Sequence, residues 1–382
     1  MNNSLTVGYV SPTYGTVAEA FSQGLSEGVE LGAGLCVYQD GQCVVDLVGG
    51  YSDRRKTNPW TEDTLCCFFS ISKALSTLCM LQAVDEGLLN LDTPIATYWP
   101  EFAQNNKADV TVQHLLTHQA GLCAFEQPVD ADIYYHWDQV IQALQAQSTW
   151  WKPGAAHGYH ARTFGYLLGE VLFRATGVKI DEWLHTRLAP QLDLYFGLDE
   201  SNQARCADML LPKLNVGAQA DKPQAMQDML RDYADTSTLT GKTFQNPKMP
   251  PRYMNTEQFR AAVMPAVNGH GTAKALAQLF SRLPNLVSKS LLAAATTVHS
   301  QGADLVLKSN TKFGLGFMLY EAESPIGWSG CFGHAGAGGS VVFYDPEHRI
   351  SFAFVMNQMH DGVVTAGPTA KRCIDALHAI VR

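Results

Sequence analysis

Strand-like sequence is confined to the two ends of this 382-residue chain, and that separation constrains the fold most. Near the N-terminus, Ala33–Tyr38 and Cys43–Val48 flank Gln39-Asp40-Gly41. Two apolar runs around Asp-Gly predict a tight hairpin, because that pair tolerates positive φ. Near the C-terminus, Gly314–Tyr320 reads as a strand. Gly339–Tyr344 and Ile350–Met356, joined through Asp345-Pro346-Glu347-His348, read as a second hairpin. A two-stranded hairpin is marginal alone. The economical solution is one antiparallel sheet of about five strands assembled from both ends.

The middle of the chain reads as helical. A long pattern from about Ser70 to Glu86 carries apolar residues at 74, 75, 78, 81 and 84, and Gly87 ends it. Further helices are predicted at 17–27, 111–118, 137–147, 162–176, 180–188, 224–232, 272–283 and 368–381, with Pro368 suited to a first turn. Residues 200–256 have weak periodicity and several prolines, and read as loop-rich. The predicted class is therefore α+β: residues 1–68 and 262–382 form a sheet lobe flanked by helices, and 69–261 an inserted, mostly helical lobe. At about 150 residues per domain the length permits this, and 46% apolar content supplies the core. A site is expected between the lobes.

Charge and cysteines narrow the partners. The net charge of −9 argues against non-specific nucleic-acid binding, which needs a basic face. No run of about 18 apolar residues exists, so no spanning helix is expected. Residues 1–15 show no basic stretch followed by an apolar one, so a signal peptide is not expected either. The nine cysteines are odd in number and scattered, with no Cys-x-x-Cys, and read as small buried hydrophobes in a reducing compartment. The expectation is a cytoplasmic protein, with a homo-oligomer left open. No His-Glu-x-x-His occurs, and His157 and His160 lack carboxylate neighbours, so neither a metal nor another cofactor is expected.

The chemistry-bearing candidate is Ser70-Ile71-Ser72-Lys73. Spacing of three puts serine and lysine on one face of a helix. A serine needs a base to become a nucleophile, and a desolvated lysine favours the neutral form that can serve. With 20 serines and 14 lysines, chance alone yields about 0.7 Ser-x-x-Lys matches, and there are two. The other, Ser309-Asn310-Thr311-Lys312, runs into Phe313-Gly314-Leu315-Gly316, a poor helix start. Gly24-Leu25-Ser26-Glu27-Gly28 is formally Gly-x-Ser-x-Gly, but Ser26 closes a helix where a nucleophile elbow would need a strand before it.

Two other segments stand out. Pro153–Ala161 carries Tyr159 in a loop before a helix, and Gly333-His334-Ala335-Gly336-Ala337-Gly338-Gly339 opens a strand, where glycines allow close backbone approach. Either alone reads as a plain turn or a packing residue.

Together, and in this order, the three segments resemble the serine β-lactamase and penicillin-binding-protein superfamily. The similarity runs from about residue 15 to the end and is greatest to the class C-like branch that includes family VIII carboxylesterases. Leu31-Gly32-Ala33 with Asp40-Gly41, Leu91-Asp92-Thr93-Pro94, Leu115–Leu122 and Asp345-Pro346 to Asn357 support it. The resemblance implies Ser70 as the acylated nucleophile, Lys73 as the base or as the group that keeps a partner deprotonated, and Tyr159 as the proton shuttle to the leaving group. It implies backbone N–H groups of Ser70 and Ala337 as the oxyanion hole. His334-Ala335-Gly336 stands at the family's Lys-Thr-Gly position, with His334 and Gly336 facing substrate. Two departures count. Tyr159-His160-Ala161 replaces the usual Tyr-x-Asn, and His334 replaces lysine. Groups that orient a peptide-like amide and a carboxylate are lost, which favours a neutral ester. The expected partner is therefore a small-molecule ester, with Phe69, Leu122, Tyr134 and Trp328 as candidate contacts. A β-lactamase, a D-alanyl peptidase or acyltransferase, and a catalytically silent binding homologue are the alternatives.

Overall fold

A computed structural model describes residues 6–212 and 224–382. The strands are β1 Thr6–Val10, β2 Gly32–Gln39, β3 Gln42–Gly50, β4 Cys66–Cys67, β5 Leu194–Phe196, β6 Gly269–Gly271, β7 Ser300–Ala303, β8 Asn310–Phe313, β9 Met318–Leu319, β10 Phe332–Ala335, β11 Val341–Asp345 and β12 Ile350–Met356. Nine of them form one antiparallel sheet in the order β1-β3-β2-β12-β11-β10-β9-β8-β7. The two chain ends meet where β2 pairs with β12, from Ala33↔Met356 to Gln39↔Ile350. Both expected hairpins are present. Asp40 and Gly41 take φ of 52° and 75°, as a two-residue turn of the twist-matched kind requires.

The sheet is larger than the expected five strands. β1 leaves no sequence signal because it is an exposed edge strand interrupted by Gly8, without an apolar run. β7, β8 and β9 are four, four and two residues long, too short for a period-2 pattern to register. The strand expected over Gly314–Tyr320 shrinks to Met318–Leu319, preceded by a turn with Gly316 at φ 77°. The glycine-rich segment does not open a strand. Phe332–Ala335 is a strand of its own, and Gly338–Gly339 form the turn into β11.

Each face of the sheet buries a different set of helices. Gly15–Ser26 and Pro368–Val381 pack together and cover one face, where Phe21, Phe343, Phe352, Phe354, Ile374 and Leu377 are buried. On the other, Ala273–Ser281 lies across β2, β11 and β12, and the helical lobe continues its core. Most helices fall within a few residues of expectation. The segment expected at 180–188 splits into Ile180–Trp183 and a π turn, Leu184–Leu188. Of the expected loop-rich stretch, 213–223 lies outside the described residues, and the rest includes helices Gln224–Ala234 and Leu239–Gln245.

The central helix, Ser72–Asp85, is buried almost all round, including Ser72, Lys73, Ser76 and Thr77. Such a helix belongs in a core, not at a surface. Gly87, at φ 73°, ends it. Gly87 N–H donates to Val84 O at 3.0 Å and Leu88 N–H to Ala83 O at 2.9 Å, the paired bonds of a glycine-terminated helix. A small sheet, β4-β6-β5, lies just before this helix and ties residues 66–67 to 194–196 and 269–271. All nine cysteines are free, and seven are buried. Among the described residues, no helix is long and apolar enough to cross a membrane, and no His/Cys/Asp/Glu cluster could hold a metal.

Candidate active site

Strand β4 delivers the chain into a tight turn. Phe69 adopts φ 47°, a left-handed conformation that a bulky side chain takes only at a cost. The surroundings hold it there. The Ser72 hydroxyl donates to Phe69 O and accepts Gly269 N–H at 2.7 Å, and Phe68 N–H donates to Gly269 O at 3.0 Å. Ser70 follows within a single 3-10 turn, Phe69–Ile71, that feeds the central helix. It is only 5% exposed.

One turn on, Lys73 Nζ lies 3.4 Å from Ser70 Oγ. It donates to Ala161 O at 2.8 Å and Ala266 O at 2.9 Å. No carboxylate pairs with it among the described residues. Burial alone drives its pKa well below the ordinary lysine value, because an ammonium there has lost its water without gaining a counter-ion. Burial thus favours the uncharged form of an amine that lies beside a serine hydroxyl.

Tyr159 stands over the same pair. Lys73 Nζ is 4.6 Å from the centre of its ring. Phe313 is stacked on that ring at 6.4 Å, and the tyrosine is fully buried. Burial raises the phenol pKa, the Ser70 hydroxyl nearby opposes the rise, and the Asp304 charge adds to it. Its hydroxyl makes no ordinary hydrogen bond among the described residues, and its raised pKa favours the protonated phenol near Ser70.

The sheet supplies the opposite wall. β10 pairs with β9 only at Phe332 and Gly333, which leaves the edge beyond them unpaired by β9. A Cβ on Gly336 would lie 2.3 Å from Phe68 O, so glycine is required for the sheet to approach the nucleophile turn this closely. The backbone N–H groups of Ser70 and Ala337 carry no backbone partner among the described residues, as an anion-binding pair would need. His334 is fully buried, its ring 6.0 Å from that of Tyr159. Burial, then the nearby Lys73, lowers its pKa to about 3. Its Nδ1–H donates to Ala335 O at 2.7 Å, so the unpartnered Nε2 is a neutral acceptor.

Ser70, Lys73, Tyr159, His334, Gly336 and Ala337 thus come together from three separated stretches of sequence. The apolar candidates divide. Phe69 shapes the nucleophile turn. Leu122 acts through its backbone: its N–H donates to His160 Nε2 at 2.9 Å and its carbonyl accepts the Thr163 hydroxyl at 2.7 Å. Tyr134 is core, stacked with Tyr166 at 6.0 Å and covered by Arg162. Trp328 does not join the site. It stacks on His378 of the C-terminal helix at 4.5 Å and contacts Phe343, on the far face of the sheet. The carbonyls of Ala161 and Ala266, which hold Lys73, were beyond sequence reasoning because backbone groups leave no residue-type signal. The decoys are inert in geometry. Ser26 is exposed at the end of its helix and bonds Gln23 O at 3.1 Å, and Ser309 precedes β8.

Comparison with known proteins identifies the family. The β-lactamase family matches residues 17–375. The esterase/beta-lactamase LipL of Mycobacterium tuberculosis is 30% identical over 370 residues, covering 92% of this chain and 83% of LipL. A family VIII carboxylesterase of known structure superposes with a TM-score of 0.87 at 31% identity, covering 98% of this chain and 99% of that one. A penicillin-binding-protein homologue from Caulobacter crescentus gives 0.85 at 34% identity, with 98% and 99% covered. The chain belongs to the β-lactamase family and is a serine hydrolase of that superfamily.

Proposed function

We propose that this protein hydrolyses carboxylic esters through an acyl-enzyme on Ser70. The observation that carries the reading is the electrostatics of the wall facing Ser70. Where the resemblance to β-lactamases and transpeptidases implies a lysine, His334 offers a neutral acceptor held near pKa 3. A substrate carboxylate gains no fixed cation there, whereas a neutral ester needs none. The name of the superposed carboxylesterase supports the same class, and that of LipL carries both esterase and beta-lactamase.

The steps follow from the protonation states. Neutral Lys73 takes the Ser70 proton as Oγ attacks the ester carbonyl carbon. The oxyanion settles between the N–H groups of Ser70 and Ala337. Collapse breaks the bond to the alcohol oxygen. Tyr159, protonated, gives that oxygen a proton and is refilled from Lys73. Water then adds to the acyl carbonyl, losing a proton to the same pair, and Ser70 Oγ takes that proton back as its bond to the acyl carbon breaks and the acid departs.

The test is comparative turnover of p-nitrophenyl butyrate and a chromogenic cephalosporin. The reading expects kcat/KM for the ester to be higher by ~10³ or more, a difference of about 4 kcal/mol in transition-state binding. Efficient cephalosporin hydrolysis with negligible ester turnover would replace it with a β-lactamase.

A further inference from the structure

The loop that carries Tyr159 is held in an unusual way. Three successive backbone N–H groups each have a buried acceptor from outside the loop. Gly158 N–H donates to His118 O at 3.1 Å. Tyr159 N–H donates to Asp304 Oδ1 at 3.1 Å. His160 N–H donates to His118 Nδ1 at 3.2 Å. A loop ordinarily leaves such groups to water. Here the backbone on either side of the tyrosine Cα is fixed by two side chains distant in sequence.

Both holders are themselves fixed. His118 is fully buried at φ 59°, a conformation a histidine takes only where its surroundings impose it. Its ring meets those of Tyr159 at 5.1 Å, Phe164 at 4.8 Å and Phe313 at 4.7 Å. Because Nδ1 accepts, the neutral ring carries its proton on Nε2. Asp304 is 2% exposed. Its Oδ1 also accepts the N–H groups of Val306 and Leu307, each at 2.8 Å. Its Oδ2 lies 3.4 Å from the Thr311 hydroxyl, which in turn meets His157 Nε2 at 2.8 Å. Leu305 N–H closes the ring of bonds on His157 O at 3.1 Å. Burying a carboxylate and a histidine is costly unless they are hydrogen-bonded, and here those bonds include the N–H groups of Tyr159 and His160.

We propose that His118 and Asp304 are positioning residues for the reaction, clamping the 158–160 backbone so that the Tyr159 hydroxyl is held over Ser70 and Lys73. The inference rests on the role given to Tyr159 above. The clamp acts before substrate arrives. It fixes a phenol whose own hydroxyl has no ordinary protein bond to hold it.

The test is a double-mutant cycle read in kcat and KM on p-nitrophenyl butyrate. His118→Leu removes the Nδ1 acceptor. His118→Asn keeps an acceptor at a similar reach and tolerates the left-handed backbone. Asp304→Asn likewise keeps one acceptor oxygen, whereas Asp304→Ala keeps none. Displacing a catalytic group by an ångström costs ~10² in rate, so His118→Leu and Asp304→Ala are expected to lower kcat by about that factor with KM changed less than about threefold. The Asn variants should recover most of it. In a Tyr159→Phe background, where the hydroxyl is already gone, His118→Leu should cost no more than about twofold further. A general packing defect would instead lower kcat equally in both backgrounds, and that result overturns the clamp. So does an Asn variant, folded by circular dichroism, that falls as far as the Leu variant. If Tyr159→Phe alone retains full kcat, the assigned role of Tyr159 fails, and the clamp fails with it for that separate reason.

Discussion

The chain contains the same four-residue spacing twice, and the two copies meet opposite fates. Ser70 and Lys73 straddle the start of a helix buried almost all round, and among the described residues the hydrogen-bond partners of the lysine are a serine hydroxyl and two carbonyls. Ser309 precedes β8 and Lys312 lies on it, where the lysine forms an ion pair with Glu321, itself 55% exposed. A strand reverses its side chains at each residue, so a spacing of three does not bring the pair to one face. The spacing is therefore chemically meaningful only where a helix aligns it and burial strips the lysine of its charge. Ser-x-x-Lys describes reach, and the surroundings decide reactivity.

The largest expected contrast follows at once. Ser70→Ala should lower ester turnover by ~10⁴ or more, as loss of a nucleophile does. Ser309→Ala should leave kcat within about twofold. Next comes the base. Lys73→Met should cost ~10³, within the range for a positioned proton-transfer group, and Lys312→Met should cost nothing measurable.

The same contrast has a pH signature. The reactive form of Lys73 is neutral, and burial lowers its pKa. As pH falls through that lowered value the amine protonates, so kcat/KM should fall with unit slope on the acid side and rise to a plateau above it. His118, His160 and His334 are all held neutral by burial, the last two near pKa 3, so none should add a second acid step at moderate pH. Tyr159 is shifted the other way, which keeps its proton in place across the plateau. A kcat/KM that rises as pH is lowered would contradict a neutral lysine base.

Smaller effects complete the series. Tyr159→Phe removes a proton donor without removing the base, and ~10² in kcat is expected. The smallest belongs to the exposed pair. Glu321→Gln breaks a surface ion pair and should shift unfolding free energy, read by urea denaturation, by less than about 1 kcal/mol.

How far each copy was legible depends on how local its determinants are. Residues 70–87 announce themselves, because the apolar spacing, the serine, the lysine and the terminating Gly87 all lie in one window. The Asp40-Gly41 hairpin and the turn at Asp345 are legible for the same reason. The rest of the site is long-range. His118 and Asp304 stand 41 and 145 residues from Tyr159, and nothing in either local sequence points at it. β7–β9 carry too few residues to show a period, and β1 is too exposed to show an apolar one. Trp328 shows the limit most plainly. It lies six residues before His334, yet its ring packs on Phe343 and His378, on the face away from Ser70. Which face a loop aromatic takes is fixed by pairing register, which composition does not reveal.

The central claim is that Ser70, in its buried helical setting, is the residue acylated. Intact-mass and peptide-mapping spectrometry after reaction with a fluorophosphonate tests it directly. The account predicts one covalent adduct per chain, on the peptide containing Ser70, absent from Ser70→Ala and unchanged in Ser309→Ala. An adduct on the Ser309 or Ser26 peptide, or full ester turnover in Ser70→Ala, would contradict it.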